Sequence, residues 1–174
     1  MDSKELLIKI LKENNVVRYG KFVLSSGNES DYYIDIKKGV TNPKILKTIA
    51  ILINEKFKDD EIHRVAGPAL GAVPIATAIS LESKIPFLMI RKGEKNYGTS
   101  KQIEGEINSG DNVLVVEDVT TTGDSLFKAI EAIEAADGIV KKVCVVVDRE
   151  EGAVRSFKSK NMILEPLVSV SEFI

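Results

Sequence analysis

In the stretch VLVVEDVTTTGDSL, Val113 to Leu126, four apolar residues lead into the adjacent acids Glu117 and Asp118. These are followed by Val119, Thr120, Thr121, Thr122, Gly123, Asp124 and Ser125. Paired carboxylates suit hydroxyl groups or a metal ion. Threonine hydroxyls, and the free N–H groups at the start of a following helix, suit a phosphate monoester; the partial positive charge of the helix end favours it further. Gly123 lets the backbone approach such a group closely. The bland alternative is a strand followed by a capped helix, because Asp and Thr are also good turn formers. Two acids placed directly before the turn weigh against it. Neither G-x-x-x-x-G-K-[ST] nor G-x-G-x-x-G occurs in the chain, which excludes a P-loop and the dinucleotide fingerprint.

The elements that hold this turn follow from hydrophobic period. Leu6, Leu7, Ile10 and Leu11 repeat at helical spacing behind the possible cap Asp2. KFVLSSGNESDYYIDIK has the form of two short strands around a glycine-containing turn. Asn42-Pro43 opens a helix whose apolar face is Ile45, Leu46, Ile49, Leu52, Ile53 and Phe57. RVAGPALG predicts a strand and turn. AVPIATAISLES predicts a helix with Pro74 in its first turn, and IPFLMI a strand. NVLVVED predicts a strand ending at Asp118, with Val119 to Thr122 as a tight turn. The next helix closes at Gly138, and KKVCVVVDR and MILEPLVSV predict further strands.

From residue 43 onward helices and strands alternate, and the strands are continuous apolar runs, as strands covered on both faces must be. The expected fold class is therefore α/β, a central parallel twisted sheet flanked by helices, in a single domain over residues 1–174. Residues 1–40 would form an N-terminal helix and a small hood containing the β-hairpin. Ligands of such sheets bind outside the carboxyl ends of the strands. GPALG, RKGEKNYGTSKQIEGE, EDVTTTGDS and DREEGA all fall there.

Composition limits the partners. The chain has 174 residues, 44% hydrophobic and 29% charged, with a net charge of −2. That suits a globular domain and argues against a nucleic-acid partner. No apolar run approaches the roughly 20 residues a membrane span needs. The N-terminal segment reads as a charged amphipathic helix and not a signal peptide. The single Cys144 reads as a buried structural thiol. A cytoplasmic location is the default expectation. His63, the only histidine, sits before a core strand and reads as structural or exposed.

The acid–threonine turn resembles the 5-phosphoribosyl-1-pyrophosphate (PRPP) signature of the type I phosphoribosyltransferases. Within that family the likeness is greatest to the orotate phosphoribosyltransferases, and it covers nearly the whole chain. FVLSSGNESDYYID resembles their N-terminal signature, RKGEKNYG their mobile catalytic loop, here about residues 91–106, and DREEGA their D-R-x-E-G segment. GPALG takes the place of the pyrophosphate loop. The resemblance implies that Glu117 and Asp118 hold the ribose hydroxyls, directly or through Mg²⁺ and water, that Thr120 to Ser125 hold the 5-phosphate, and that Val119 belongs to the PRPP site beside them. It implies that Arg91, Lys92, Lys95 and Tyr97 serve PRPP, with Lys95 catalytic alongside Asp118 and Glu117. It assigns orotate to Arg149, Thr121 and Tyr33. It also implies a homodimer in which each catalytic loop closes over the neighbouring subunit's site.

The residues themselves agree in part. Orotate is a planar carboxylate, for which an arginine fork is the natural partner; alone, Arg149 reads equally as an ion pair with Asp148 or Glu151. One of Tyr32 and Tyr33 is better read as hairpin core. A long polar loop between parallel strands is uncommon and often functional. Three departures reduce the charge expected at the pyrophosphate end. Tyr97 stands where the family often has histidine, Leu70-Gly71-Ala72 where a bacterial-type loop carries lysine, and Ser25 where lysine is frequent. Two alternatives remain: a phosphoribosyltransferase for another base, which would need no Arg149, and a non-catalytic PRPP-sensing regulator.

Overall fold

The computed structural model describes residues 3–23, 27–93 and 101–173. Helix α1 (Ser3–Glu13) buries Leu7, Ile10 and Leu11 and leaves Leu6 at its margin, 38% exposed. Each side chain so buried is worth roughly 1.5–3 kcal/mol relative to exposure. Strands β1 (Val17–Val23) and β2 (Glu29–Ile34) pair antiparallel as the expected hairpin, with a register irregularity between Tyr19 and Phe22. The hairpin is fastened to the far end of the chain, where Tyr19 Oη donates to the Phe173 carbonyl at 2.5 Å. A one-turn helix, α2 (Ile36–Gly39), follows; its cap Asp35 accepts from the Lys38 N–H at 3.1 Å. Burial of Ile36 leaves the next residue, Lys37, on the outer side.

Helix α3 (Pro43–Lys56) begins as the sequence indicates. The Asn42 side chain accepts from the Lys44 N–H at 2.9 Å, and Pro43, which has no N–H to lose, takes the first position. Strand β3 (Arg64–Pro68), helix α4 (Ala72–Ser83) and strand β4 (Phe87–Ile90) come next. The polar segment after β4 also holds a two-residue strand, β5 (Ile103–Glu104), antiparallel to β4. Two residues are too few for a hydrophobic period to announce them. Strand β6 (Asn112–Thr120) then leads to helix α5 (Asp124–Ala135), strand β7 (Ile139–Asp148), helix α6 (Ala153–Ser159) and strand β8 (Leu164–Ser169).

Among the described residues the main sheet has the order β5-β4-β3-β6-β7-β8, with every neighbouring pair parallel except β4 and β5. Two apolar layers flank it. Leu114 and Val116 of β6 join Cys144 and Val146 of β7 in a core covered by α1, α3 and α4. Val113 and Val115 join Val143 and Val145 in the opposite core, covered by α5 and α6. The alternation is the period-two geometry of a strand buried on both faces.

Two boundaries differ from the sequence expectation. The strand expected to stop at Asp118 continues to Thr120, because the β6–β7 ladder pairs Val119 with Val147 and Thr120 with Asp148. The turn into α5 is accordingly Thr121 to Gly123. At the other end of α5, the left-handed residue is Asp137, at φ 61°, and not Gly138. The Gly138 N–H donates to the Ile133 carbonyl at 3.0 Å, and the Asp137 N–H to the Glu134 carbonyl at 3.0 Å, the pair of bonds that closes a Schellman turn. Gly138 is required for space: a Cβ there would lie 2.7 Å from Ile107 Cδ1 and 2.8 Å from Ile133 Cγ2.

Candidate active site

Strand order reverses between β3 and β6, and their carboxyl ends flank the crevice where α/β sheets bind ligands. β6 delivers Glu117 and Asp118 there, both buried. Along β6, Glu117 follows the α5-facing residues Val113 and Val115, and Asp118 the opposite set, Leu114 and Val116. Glu117 Oε2 accepts from Ser125 Oγ at 2.6 Å and Oε1 from the Asp118 N–H at 3.1 Å. Burial, then a side-chain hydrogen bond that protonated Glu117 donates to Asp118, and the charge of Asp118, push the Glu117 pKa up to about 8. Asp118 Oδ2 is buried without a hydrogen bond; Lys37 Nζ lies 3.5 Å from it.

After β6 the chain turns sharply. Thr120 is buried, Val119 packs on the sheet core, and Thr121 and Thr122 are exposed. The Thr120 carbonyl accepts from the Arg149 N–H at 3.0 Å and the Thr121 carbonyl from the Ala153 N–H at 3.2 Å, so the β7–α6 loop braces the turn. Gly123, at φ +91°, caps α5 without a side-chain hydrogen bond. The N–H groups that open α5 at Asp124 and Ser125 therefore have no side-chain cap, and they face a turn of threonines. A Cβ on Gly123 would lie 3.0 Å from Phe157, a steric reason for glycine beside the conformational one.

On the β7 side, Arg149 is 8% exposed and its Nε donates to Glu151 Oε1 at 2.7 Å. Its guanidinium carbon lies 4.9 Å from the centre of the Tyr32 ring. The hairpin thus reaches over the sheet rim at Tyr32. Burial raises the Tyr32 pKa above its ordinary value and also raises that of the neighbouring Asp148. Tyr33, the residue expected near the base, stands elsewhere: its ring lies 5.5 Å from the Arg18 guanidinium and 5.6 Å from Phe22. Neighbouring residues of a strand point to opposite faces, so only one of the two tyrosines can face Arg149. The doublet YY does not reveal which.

At the other end of the crevice, β3 runs into the loop Ala69 to Gly71, whose Ala69–Leu70 peptide is cis. Gly71 lies so close to Asp118 that a Cβ would sit 2.2 Å from Oδ2. A cavity of about 580 Å³ opens beside this loop, lined among others by Ala69, Arg91, Lys92, Ser125 and Lys128. Arg91 Nε donates to Glu104 Oε1 at 2.7 Å. Lys95 and Tyr97 lie outside the described residues. The structure brings Lys37 and Lys128 to the crevice, neither of which was singled out in the sequence. Nothing in a string of scattered lysines marks the two that the fold carries there. His63 stands at the opposite end of β3, where its Nδ1 accepts from the Asn112 N–H at 2.9 Å.

The residues present suit a hard divalent cation. Asp118 offers a buried carboxylate oxygen with no hydrogen bond, and oxygen donors are what Mg²⁺ prefers. Among the described residues no three His, Cys, Asp or Glu side chains cluster as a metal cage, so such an ion would need oxygens from a bound substrate as well.

Two buried acids and the start of α5 at the switch point of the sheet have the layout of an α/β protein that binds a ligand at the carboxyl edge of its strands. Comparison with known proteins makes the class specific. The model of the phosphoribosyl transferase domain matches residues 38–174, and the chain belongs to that family. It is 60% identical over 172 residues to the orotate phosphoribosyltransferase of Methanosphaera stadtmanae, covering 99% of this chain and 97% of the relative. Among solved structures, the orotate phosphoribosyltransferase of Aeropyrum pernix superimposes with a TM-score of 0.86 at 33% identity, over 96% of this chain and 95% of that one. The Mycobacterium tuberculosis orotate phosphoribosyltransferase in complex with PRPP matches with a TM-score of 0.80 at 30% identity, over 99% of each chain.

Proposed function

We propose that the protein transfers the 5-phosphoribosyl group of PRPP to N1 of orotate, giving orotidine 5′-monophosphate and pyrophosphate, a step of pyrimidine nucleotide synthesis. The observation that carries the choice of base is the buried Arg149, stacked on Tyr32 beside the phosphate turn. A planar guanidinium in a flat slot suits the carboxylate of orotate, and adenine and hypoxanthine have no carboxylate to offer. The relatives named above carry the same activity in their names.

In this reading the turn Thr120 to Ser125 and the first N–H groups of α5 hold the 5-phosphate. Glu117 and Asp118 hold the ribose hydroxyls, and Thr121, Arg149 and Tyr32 hold orotate. Bond making at N1 and bond breaking at the pyrophosphate oxygen pass through an oxocarbenium-like state, so positioning and charge stabilisation do the work and no nucleophilic side chain is needed. Arg91, Lys92 and Lys95 neutralise the departing pyrophosphate, with Tyr97 beside them. Mg²⁺, held through PRPP oxygens and Asp118, would supply further charge neutralisation when bound. Exclusion of water protects PRPP from hydrolysis.

The active unit in this reading is a homodimer in the cytoplasm, with the segment 91–106 serving the neighbouring subunit's site. Leu70 and Leu81, 71% and 69% exposed beside and on α4, are the apolar groups that a second copy would cover. No helix among the described residues is long and apolar enough to cross a membrane. Loss of orotate absorbance in the presence of PRPP and Mg²⁺ tests the assignment. Binding of PRPP without turnover of any base would favour a sensor instead.

A further inference from the structure

We propose that Lys37 is a ligand of the diphosphate group of PRPP, contributed by the hood; this rests on the phosphoribosyl-transfer reading given above. Three observations meet at Asp118. Its Oδ2 is buried and accepts no hydrogen bond. The ammonium of Lys37 lies 3.5 Å from that oxygen, at the long end of ion-pair range, on a side chain that is 55% exposed. The loop from Ala69 to Gly71 presses on the same carboxylate from the β3 side, 2.2 Å from where a Gly71 Cβ would be. Lys37 therefore sits where the strand-end acid meets the β3 loop, which in this reading faces the leaving group.

That loop has no cation of its own: its residues are Ala69, Leu70, Gly71 and Ala72. Arg91 and Lys92 line the cavity beside it, but Arg91 already shares its Nε with Glu104, and Arg149 shares its own with Glu151. A diphosphate carries several negative charges, and bringing one beside two buried acids is unfavourable unless cations close to those acids offset it. Lys37 has three N–H donors and, among the described residues, a single carboxylate oxygen in ion-pair range. It can keep its contact with Asp118 and still donate to a phosphate oxygen. The short helix α2 makes the placement rigid, since Ile36 is buried beside it and Asp35 caps it.

The proposal separates from a purely supporting role through the choice of probe. Ribose 5-phosphate uses the phosphate turn and the acids but has no diphosphate; inorganic pyrophosphate has only that part. Calorimetric titration of wild type, Lys37→Met and Lys37→Arg with each probe and with PRPP, all in Mg²⁺, reads the difference. Loss of one charge-assisted contact at a half-exposed site should weaken pyrophosphate and PRPP roughly tenfold in Lys37→Met. Ribose 5-phosphate should stay within about twofold, and Lys37→Arg should restore most of the loss. Equal weakening of ribose 5-phosphate would mean that Lys37 only steadies Asp118, and would overturn the proposal. Unchanged binding of all three would make the pair a surface contact and overturn it too. A wild type that binds none of the probes would overturn the phosphoribosyl-transfer reading itself, and this one with it.

Discussion

Ser125 Oγ donates to Glu117 Oε2 at 2.6 Å, tying the first turn of α5 to the end of β6. The bond favours ionised Glu117, but burial and the adjacent Asp118 outweigh it and carry the pKa from 4.5 up to about 8. Between those two values the folded protein holds a proton that the unfolded chain has released. Stability from this group is therefore full below the unfolded value and falls as pH rises through about 8, by an amount of order a few kcal/mol. Glu117→Gln should flatten the fall. Urea midpoints of wild type and variant should agree near about pH 5 and separate by about pH 8.5, the variant being more stable. Parallel profiles would mean that Glu117 ionises normally in the free protein.

Gly71→Ala tests the contact between the β3 loop and Asp118. Gly71 has φ −65°, a conformation open to alanine, so the whole penalty comes from a Cβ 2.2 Å from Oδ2. The loop and the carboxylate must move apart. kcat/KM for PRPP should fall at least about tenfold, since small misplacements at a reacting centre are expensive. The circular dichroism melt should change little. An unchanged kcat/KM would show that the loop can move freely away from Asp118.

Arg149→Ala should raise KM for orotate by about 10- to 150-fold, the worth of a charge-assisted hydrogen bond, and change KM for PRPP far less. Glu151, left behind, is 40% exposed and can be solvated. Equal effects on both substrates would mean that the Arg149 side chain supports the site as a whole and not orotate alone, because the backbone N–H that braces the Thr120 carbonyl is kept in alanine.

Sharing of sites across a dimer predicts complementation. Lys95→Ala and Asp118→Asn would each be inactive alone. After subunit exchange, random pairing makes half the dimers mixed, and one site of each mixed dimer carries neither defect. Activity should then recover to about a quarter of wild type. Exchange confirmed by mass spectrometry with no recovery would place Lys95 in its own subunit's site or outside catalysis.

The sheet and its helices were legible in the sequence because their signals are local: continuous apolar strands, Asn42-Pro43 as a helix start, and alternating strand and helix periods. The acid–threonine turn was legible because its residue types sit together in the chain. What was hidden depends on pairing across elements. Thr120 belongs to β6 only because Asp148 lies opposite it. Tyr32 and not Tyr33 meets Arg149 because of how the hairpin is laid on the sheet. Lys37 reaches Asp118 from 81 positions away, a distance no local pattern spans. Glycine roles split the same way. Gly123 could be read from its turn, whereas Gly138 answers to Ile107, a side chain from another segment.

Product analysis after incubation with PRPP, Mg²⁺ and an equimolar mixture of orotate, adenine and hypoxanthine tests the assignment most directly. Chromatography should show orotidine 5′-monophosphate as the nucleotide product, formed in step with an equal amount of pyrophosphate. A purine nucleotide in its place, or intact PRPP held by the protein with no nucleotide formed, would contradict it.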